Sequence, residues 1–288
     1  MDKRLTSMKR TKQIKKVIYY TMATLLAVVM IYPLVWMLFS SFKQNDQIFV
    51  TATHLWPEKW DVVHNYSTGW KGIAGVGFGR FMWNSLVIAV IGTVTGLFSS
   101  VLAAYAFARL NFKGHKFLFA CVMATMLIPN QVMIVPQYII FRNLNLLDKT
   151  ISMIIPWMFG GAFFIFLFVQ FIRGLPIELE EAAAIDGCGK FRILFNIIIP
   201  NIVPAIITGA IFSFYWIWQD FFQPLIFMNT PEKFPVSLGL RLYLDPESAC
   251  EYGSMLSMAV VSVIPVLLIF TFFQKYLVEG TATSGLKG

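Results

Sequence analysis

Charged residues are scarce in this chain. They make up 13% of its 288 residues, against about 25% in a typical soluble domain. Hydrophobic residues make up 57%, and the mean hydropathy is +0.68. Most side chains must therefore face something other than water, and lipid is the expected environment. This composition excludes an ordinary soluble globular domain.

Cysteine and histidine are also rare, with three of each, and they lie far apart along the sequence. Such spacing matches neither a disulfide framework nor a known metal-ligand pattern. We therefore expect no metal site and no bound cofactor. These side chains are interpreted as packed or solvated residues.

Motifs for nucleotide hydrolysis are missing. The phosphate-binding pattern Gly-x-x-x-x-Gly-Lys-Ser/Thr does not occur. The one Gly-Lys pair is Gly189-Lys190, but Ala184 stands where the pattern needs its first glycine, and Phe191 stands where it needs Ser or Thr. No Ser/His/Asp or Cys/His set with its supporting local motif is present. The sequence thus predicts that this chain is not an enzyme and does not itself hydrolyse ATP.

Long apolar runs, in contrast, are abundant. A helix needs about 20 residues to cross a bilayer, and the runs predict an all-α polytopic membrane protein with six transmembrane helices. Their predicted bounds are about residues 17–39, 83–108, 117–140, 151–172, 202–226 and 255–273. We interpret residues 17–288 as one membrane domain, preceded by a basic tail at residues 1–16.

Positive charge is distributed unevenly between the two sides that six spans define. The basic tail and the loops on its side hold most of the lysines and arginines, whereas positive charges on the other side are matched by carboxylates. Cytoplasmic loops carry such an excess, so both termini are expected in the cytoplasm. The net charge of +8 is concentrated in this tail, which points to membrane lipid and not to nucleic acid.

One polar, helix-competent segment separates the fourth and fifth runs. Pro176 suits a first helical position, acidic residues follow it at the positive end of the helix dipole, and Gly187 offers a left-handed stop. A helix of about ten residues and a second helical run from Lys190 are predicted. We call residues 175–200 the elbow and place it on the cytoplasmic surface.

The elbow has two possible interpretations, a helix resting on lipid or a surface that docks a protein. A lipid-surface helix is usually rich in Lys and Arg opposite bulky apolar residues. The elbow instead combines Glu178, Glu180, Glu181 and Asp186 with a run of alanines. Because the cytoplasmic leaflet is negative, this composition favours protein docking.

A single carboxylate, Asp220, lies within a predicted span. An aspartate at the centre of a span costs about 2.5–3.5 kcal/mol on insertion scales, so it is a candidate functional residue. In one interpretation Trp216, Gln219 and Asp220 line a polar path suited to sugars. In the other, Asp220 lies at the outer interface and the tryptophans form an aromatic belt.

The elbow also resembles a known family. Glu181-Ala182-Ala183, followed by Gly187 and then by Ile197 and Pro200, is similar to the EAA loop of ATP-binding-cassette (ABC) importer permeases, in particular the maltose-type carbohydrate permeases. Further similar segments are Asn84-Ser85-Leu86, Pro129-x-Gln131, Trp218-Gln219-Asp220-Phe221 and the closing residues 274–288. The resemblance covers residues 80–288, with a family-like core at about 80–275. Asn145, Cys188 and Ile199 depart from the usual pattern.

This resemblance implies a type I ABC importer permease fold with a cytoplasmic coupling helix in a bacterial inner membrane. It implies a pore shared with a paralogous permease, two copies of a separate ATPase, an extracytoplasmic solute-binding protein and a carbohydrate substrate, expected to be an oligosaccharide. Residues 229–253 would face the binding protein, and the closing tail would approach the ATPases. The implied ATPase-docking residues are Glu178, Glu181, Ala182, Ala183, Asp186 and Gly187.

Other functions are weighed against this one. A self-sufficient secondary transporter usually has inverted repeats, broken helices and buried coupling charges, and we find no repeat and only one candidate charge. A membrane enzyme would need a catalytic constellation. Among ABC permeases, one for a non-sugar solute such as a peptide or polyamine stays an alternative.

Overall fold

The regular elements of this chain are helices throughout the part that the structure, a computed structural model, describes. Described are residues 2–50, 52–244 and 251–285, with side chains for residues 12–50, 52–244 and 251–276. Residues 286–288 of the closing segment and residues 245–250 of the predicted outer connection lie outside the described residues. The helices are α1 (Asp2–Ser40), α2 (Gln47–Val50), α3 (Val62–Lys71), α4 (Phe78–Arg109), α5 (His115–Thr125), α6 (Asn130–Asn143), α7 (Thr150–Met158), α8 (Ala162–Gly174), α9 (Glu178–Ile185), α10 (Lys190–Ile193), α11 (Ile199–Asn201), α12 (Val203–Gln219), α13 (Phe222–Phe227), α14 (Val236–Leu242) and α15 (Tyr252–Gly285).

Several of these helices are long and apolar enough to cross a membrane, as the all-α prediction requires. Within the described residues there are four such segments, and up to six if two sharply bent helix pairs each count as one span. The four are Lys12–Ser40, Phe78–Arg109, Thr150–Gly174 and Tyr252–Tyr276. The bent pairs are α5 with α6, at 100°, and Lys190–Asn201 with α12, at 77°.

Three of the apolar runs are less regular than the sequence indicates. The third run turns ahead of Pro129, which is extended (φ −60°, ψ 133°) and caps α6, while Pro136 stays inside that helix. The fourth run breaks between α7 and α8, where Gly160 has φ +86°. The fifth run ends early, because Asp220 is extended (φ −61°, ψ 122°) directly after α12. Hydropathy records apolar character but not these changes of direction.

The chain divides into two compact units. The first comprises Met1–Gly69 and Tyr243–Val261. Its polar core is built around Asn65, whose Nδ2 donates to the carbonyl oxygens of Ser41 (3.0 Å) and Lys43 (2.8 Å). The Tyr243 hydroxyl donates to the Gly69 carbonyl oxygen at 2.6 Å, and burial raises the pKa of this tyrosine to about 12.

The second unit comprises Trp70–Leu242 and Ser262–Gly288 and is centred on α4. Helices α7, α8 and α12 pack around α4, and small residues of α4 allow this close approach. A Cβ built on Gly96 would lie 2.4 Å from the Trp157 carbonyl oxygen, and the Ser99 hydroxyl donates to the Met158 carbonyl oxygen at 2.7 Å. The C-terminal end of α4, at Arg109, reaches the elbow.

Candidate functional site

The first helix of the elbow is α9, which has eight residues. The Ile177 carbonyl oxygen accepts hydrogen bonds from the amides of Glu180 (2.9 Å) and Glu181 (3.1 Å). The prediction that Pro176 starts the helix is therefore wrong by two positions. Leu175 is extended (φ −78°, ψ 140°), as expected for the residue before a proline, and the chain enters the helix only after Pro176.

The end of α9 matches the predicted glycine stop. Gly187 has φ +82°, and its amide donates to the Ala184 carbonyl oxygen at 3.1 Å. The Cys188 amide donates to the Ala183 carbonyl oxygen at 2.9 Å. These two bonds form a Schellman motif, which needs a left-handed residue at the position of Gly187. The second helical run, from Lys190, is also confirmed.

The predicted docking residues lie on two faces of the elbow. Glu178, Glu181, Ala182, Asp186 and Gly187 are exposed. Ala183 is only 8% exposed and packs into the apolar core that α4 and α8 share with α12. The structure thus places Ala183 on the buried face of the helix and the other five residues on the exposed face of the elbow.

Exposed apolar side chains add to this open face. Ile185, beside Asp186, is 86% exposed, and Phe191, which lies between Lys190 and Arg192 in α10, is 75% exposed. Neither residue is among those predicted from the sequence. Their signal was present, since bulky apolar residues in a polar segment between spans are unusual. We call the exposed residues Glu178, Glu181, Ala182, Ile185, Asp186, Gly187 and Phe191 the open face of the elbow.

A buried ion pair holds the opposite face. Glu180, grouped by the sequence analysis with the other acidic residues, is 5% exposed and pairs with Arg109 through its Oε1 and the Arg109 Nε. The Arg109 Nη2 also donates to the Leu175 carbonyl oxygen at 2.7 Å. A weak signal for this pair is present in the sequence, because Arg109 is the first charged residue after the second apolar run.

The candidate substrate residues do not form one group. Trp216 packs against the aromatic rings of Phe163, Phe164 and Phe212, with ring centroids 5.2, 5.4 and 5.9 Å away. Gln219 is exposed. Asp220 instead faces a small pocket, because the chain leaves the helical path at this residue. The pocket is lined by Ser85, Ile88, Met153, Trp157, Ile217, Asp220, Gln223, Pro224 and Pro235.

Two glutamines add polar groups near Asp220. The Gln223 amide nitrogen of the main chain lies 3.4 Å from the Asp220 Oδ1, and its side-chain Nε2 lies 3.4 Å from the Gln137 Oε1. Within the described part of the chain, the buried Gln223 Oε1 has no hydrogen-bond partner. Neither glutamine is among the residues predicted from the sequence, because Gln137 and Gln223 lie outside the helical turn of Trp216, Gln219 and Asp220.

The first part of the predicted binding-protein surface is fixed by a polar clamp. The Asp148 carboxylate accepts hydrogen bonds from the amides of Asn229 and Thr230, both at 3.0 Å, from the Thr230 hydroxyl at 2.5 Å and from the Lys233 Nζ at 2.7 Å. Burial raises the pKa of Asp148, but these hydrogen bonds outweigh it and hold that pKa well below its ordinary value. Asn84 supports the same turn by donating to the carbonyl oxygens of Glu232 and Phe234.

Comparison with known proteins places these features in context. The family described as "Binding-protein-dependent transport system inner membrane component" matches residues 92–282. The arabinooligosaccharides transport system permease protein AraQ of Bacillus subtilis is 31% identical, over 92% of this chain and 93% of its own length. The sulfoquinovosyl glycerol transport system permease protein SmoH of Agrobacterium fabrum is 30% identical, over 95% and 94%.

The fold is similar to that of a solved transporter. A chain in the crystal structure of a bacterial ABC transporter involved in the import of the acidic polysaccharide alginate superimposes with a TM-score of 0.80. The two chains are 23% identical, and the match covers 93% of this chain and 98% of the other. This likeness concerns the fold.

Proposed function

Because this chain belongs to the family of binding-protein-dependent transport system inner membrane components, as a permease subunit of an ABC importer, we propose that it imports an oligosaccharide. In this proposal it forms half of the translocation pore and a paralogous permease forms the other half. The observation that carries the coupling part of the proposal is the elbow, whose open face is free while its opposite face is anchored to α4.

The substrate class is supported by the relatives. AraQ is named for arabinooligosaccharides, SmoH for sulfoquinovosyl glycerol, and the structurally similar transporter imports alginate. All three substrates carry sugar units with many hydroxyl groups. A carbohydrate is therefore the substrate class that we propose for this chain.

The open face of the elbow is proposed to dock one of two ATPase subunits. Its alanine allows close approach, Ile185 and Phe191 offer apolar surface, and Glu178, Glu181 and Asp186 offer charge for basic partner groups. Gly187 fixes the bend after α9. ATP-driven closure of the ATPases would move the elbow and switch the pore from inward to outward access.

The orientation follows from the same proposal. The elbow and both termini lie in the cytoplasm, and an extracytoplasmic solute-binding protein docks on the other side. The excess of Lys and Arg on the elbow side supports this orientation. The turn held by Asp148 then contributes to the surface that the binding protein contacts.

A reconstitution experiment tests the function and the orientation together. The chain, its paralogous permease and their ATPase are placed in proteoliposomes and supplied with the binding protein, ATP and a panel of neutral and acidic oligosaccharides. A tripeptide and spermidine serve as non-sugar probes. We expect oligosaccharide uptake that requires ATP on the elbow side, where an impermeant thiol reagent labels Glu181→Cys in a chain whose native Cys121, Cys188 and Cys250 are changed to serine. Uptake by this chain alone without ATP, or labelling from the binding-protein side, would overturn the proposal.

Asp220 is proposed to belong to the substrate path. It lines a pocket together with Trp157, Ser85 and Gln223, a mixture of aromatic and hydrogen-bonding residues that suits a sugar. Gln137 extends the polar surface through Gln223. Trp216 would act indirectly, by packing α12 against α8, while the exposed Gln219 continues the path outside the pocket.

Asp220→Asn is expected to raise the KM for oligosaccharide uptake at least fivefold, because the side chain keeps its shape but loses its charge. Association with the ATPase should stay unchanged, because the elbow is not altered. The measurement is initial uptake rate against the concentration of sugar-loaded binding protein. Asp46→Asn is the matched control, since it makes the same substitution at an exposed carboxylate. An unchanged KM would favour the interpretation of Asp220 as an interfacial residue.

A further inference from the structure

We propose that Arg109 is the positioning residue that transmits movement of the elbow to α4, and that its ion pair with Glu180 sets how tightly ATP hydrolysis is coupled to import. This inference rests on the proposed function. It assigns a role to two residues that lie away from the open face. Among the described residues, Arg109 donates hydrogen bonds to Glu180 and Leu175, which belong neither to the substrate path nor to the open face of the elbow.

The geometry makes Arg109 a junction of three helices. The residue ends α4, its Nε pairs with Glu180 in the first turn of α9, and its Nη2 donates to the Leu175 carbonyl oxygen directly after α8. The side chains of Arg109 and Glu180 are 10% and 6% exposed. A displacement of α9 must therefore either move Arg109 or separate two buried opposite charges.

The other contacts between α9 and the core are less directional than the ion pair. Besides Glu180, the buried residue of α9 is Ala183, whose methyl group packs against apolar neighbours. Apolar contacts are non-directional, so they allow small sliding movements. An ion pair with a planar guanidinium fixes both distance and angle, and breaking a buried pair leaves an uncompensated charge. The ion pair is thus the contact best suited to transmit a movement of α9 to α4.

Helix α4 also connects the elbow to the pocket beside Asp220. Helix α4 packs against α7, α8 and α12 and carries Ser85, which lines the pocket beside Asp220. The same helix therefore reaches the elbow at its C-terminal end and the proposed substrate path near its N-terminal end. A shift of α4 driven through Arg109 would reach both α12 and the pocket.

The test measures molecules of solute imported per ATP hydrolysed by the reconstituted transporter, using an oligosaccharide that it imports. In Arg109→Lys the charge is kept, but a compact ammonium cannot reproduce the guanidinium fork that serves Glu180 and Leu175 together. We expect normal association with the ATPase, raised ATP hydrolysis without solute, and a ratio at least threefold lower. Glu180→Gln should act in the same way. An unchanged ratio in both variants overturns the proposal.

Two further variants separate transmission from simple anchoring. Lys113→Gln removes one positive charge at an exposed position of the adjacent α4–α5 loop and should leave the ratio unchanged. Arg109→Met combined with Glu180→Met replaces the pair by apolar side chains, which often preserves stability at buried ion pairs. We expect this double variant to assemble but to stay uncoupled, and restored coupling would show that the pair is only an anchor. Failure of the proposed function itself would appear differently, as a parent transporter without ATP-dependent uptake.

Discussion

Gly96→Ala is expected to lower the amount of folded protein about tenfold or more, although it adds only one methyl group. Alanine normally favours a helix over glycine by about 1 kcal/mol. Here the added Cβ would lie 2.4 Å from the carbonyl oxygen of Trp157, a main-chain atom that cannot rotate away. Helices α4 and α7 would have to separate, and overpacking of this kind costs about 1–3 kcal/mol or more.

The measurement is the yield of monodisperse protein after detergent extraction, followed by uptake in proteoliposomes. Gly174→Ala is the matched control, because it adds the same methyl group at the end of α8, where no described atom beyond the chain neighbours and the helix's own backbone lies within 4 Å. That variant should give at least the parental yield. A parental yield for Gly96→Ala would mean that α4 and α7 do not pack closely in the membrane.

The sequence predicts the class of fold because bilayer-length apolar runs have few alternative structures. It also predicts the end of α9, since a left-handed stop is a local property of Gly187. Asn145 illustrates the same point. It departs from the pattern of the family that the sequence resembles and adopts φ +53°, a conformation that asparagine tolerates better than most residues. Local backbone conformation can therefore be predicted from the residue types at these positions.

Contacts between residues that are distant in the chain cannot be predicted from the sequence in this way. Spacing of three residues places Glu180 and Ala183 on one helix face, but which face is buried depends on Arg109, which is 71 residues away in the chain. Likewise, helical spacing grouped Trp216 with Asp220, and the break at Asp220 separated them. The sequence carries a partial signal for that break, because Pro224 cannot donate the helical hydrogen bond to the Asp220 carbonyl oxygen, but Phe221 and Phe222 keep the run apolar.

Ala182→Trp is expected to remove the ATPase from the complex and to lower uptake at least tenfold, while the permease stays folded. Ala182 is exposed on α9, between Glu181 and the buried Ala183. An indole side chain there adds bulk to the open face without touching the core, so α9 stays packed against the core. The partner surface, in contrast, can no longer approach the helix closely.

Co-purification of the ATPase with the affinity-tagged permease measures docking, and thermal stability of the detergent-solubilised permease measures folding. Asn111→Trp is the control, because it adds the same side chain at an exposed position outside the elbow, in the α4–α5 loop. It should retain the ATPase. Ala183→Trp provides the opposite case, since bulk at a buried position should unseat α9 and lower thermal stability as well as docking. If Ala182→Trp retained both the ATPase and normal uptake, the open face of the elbow would not be the docking surface, and the coupling mechanism built on it would fail.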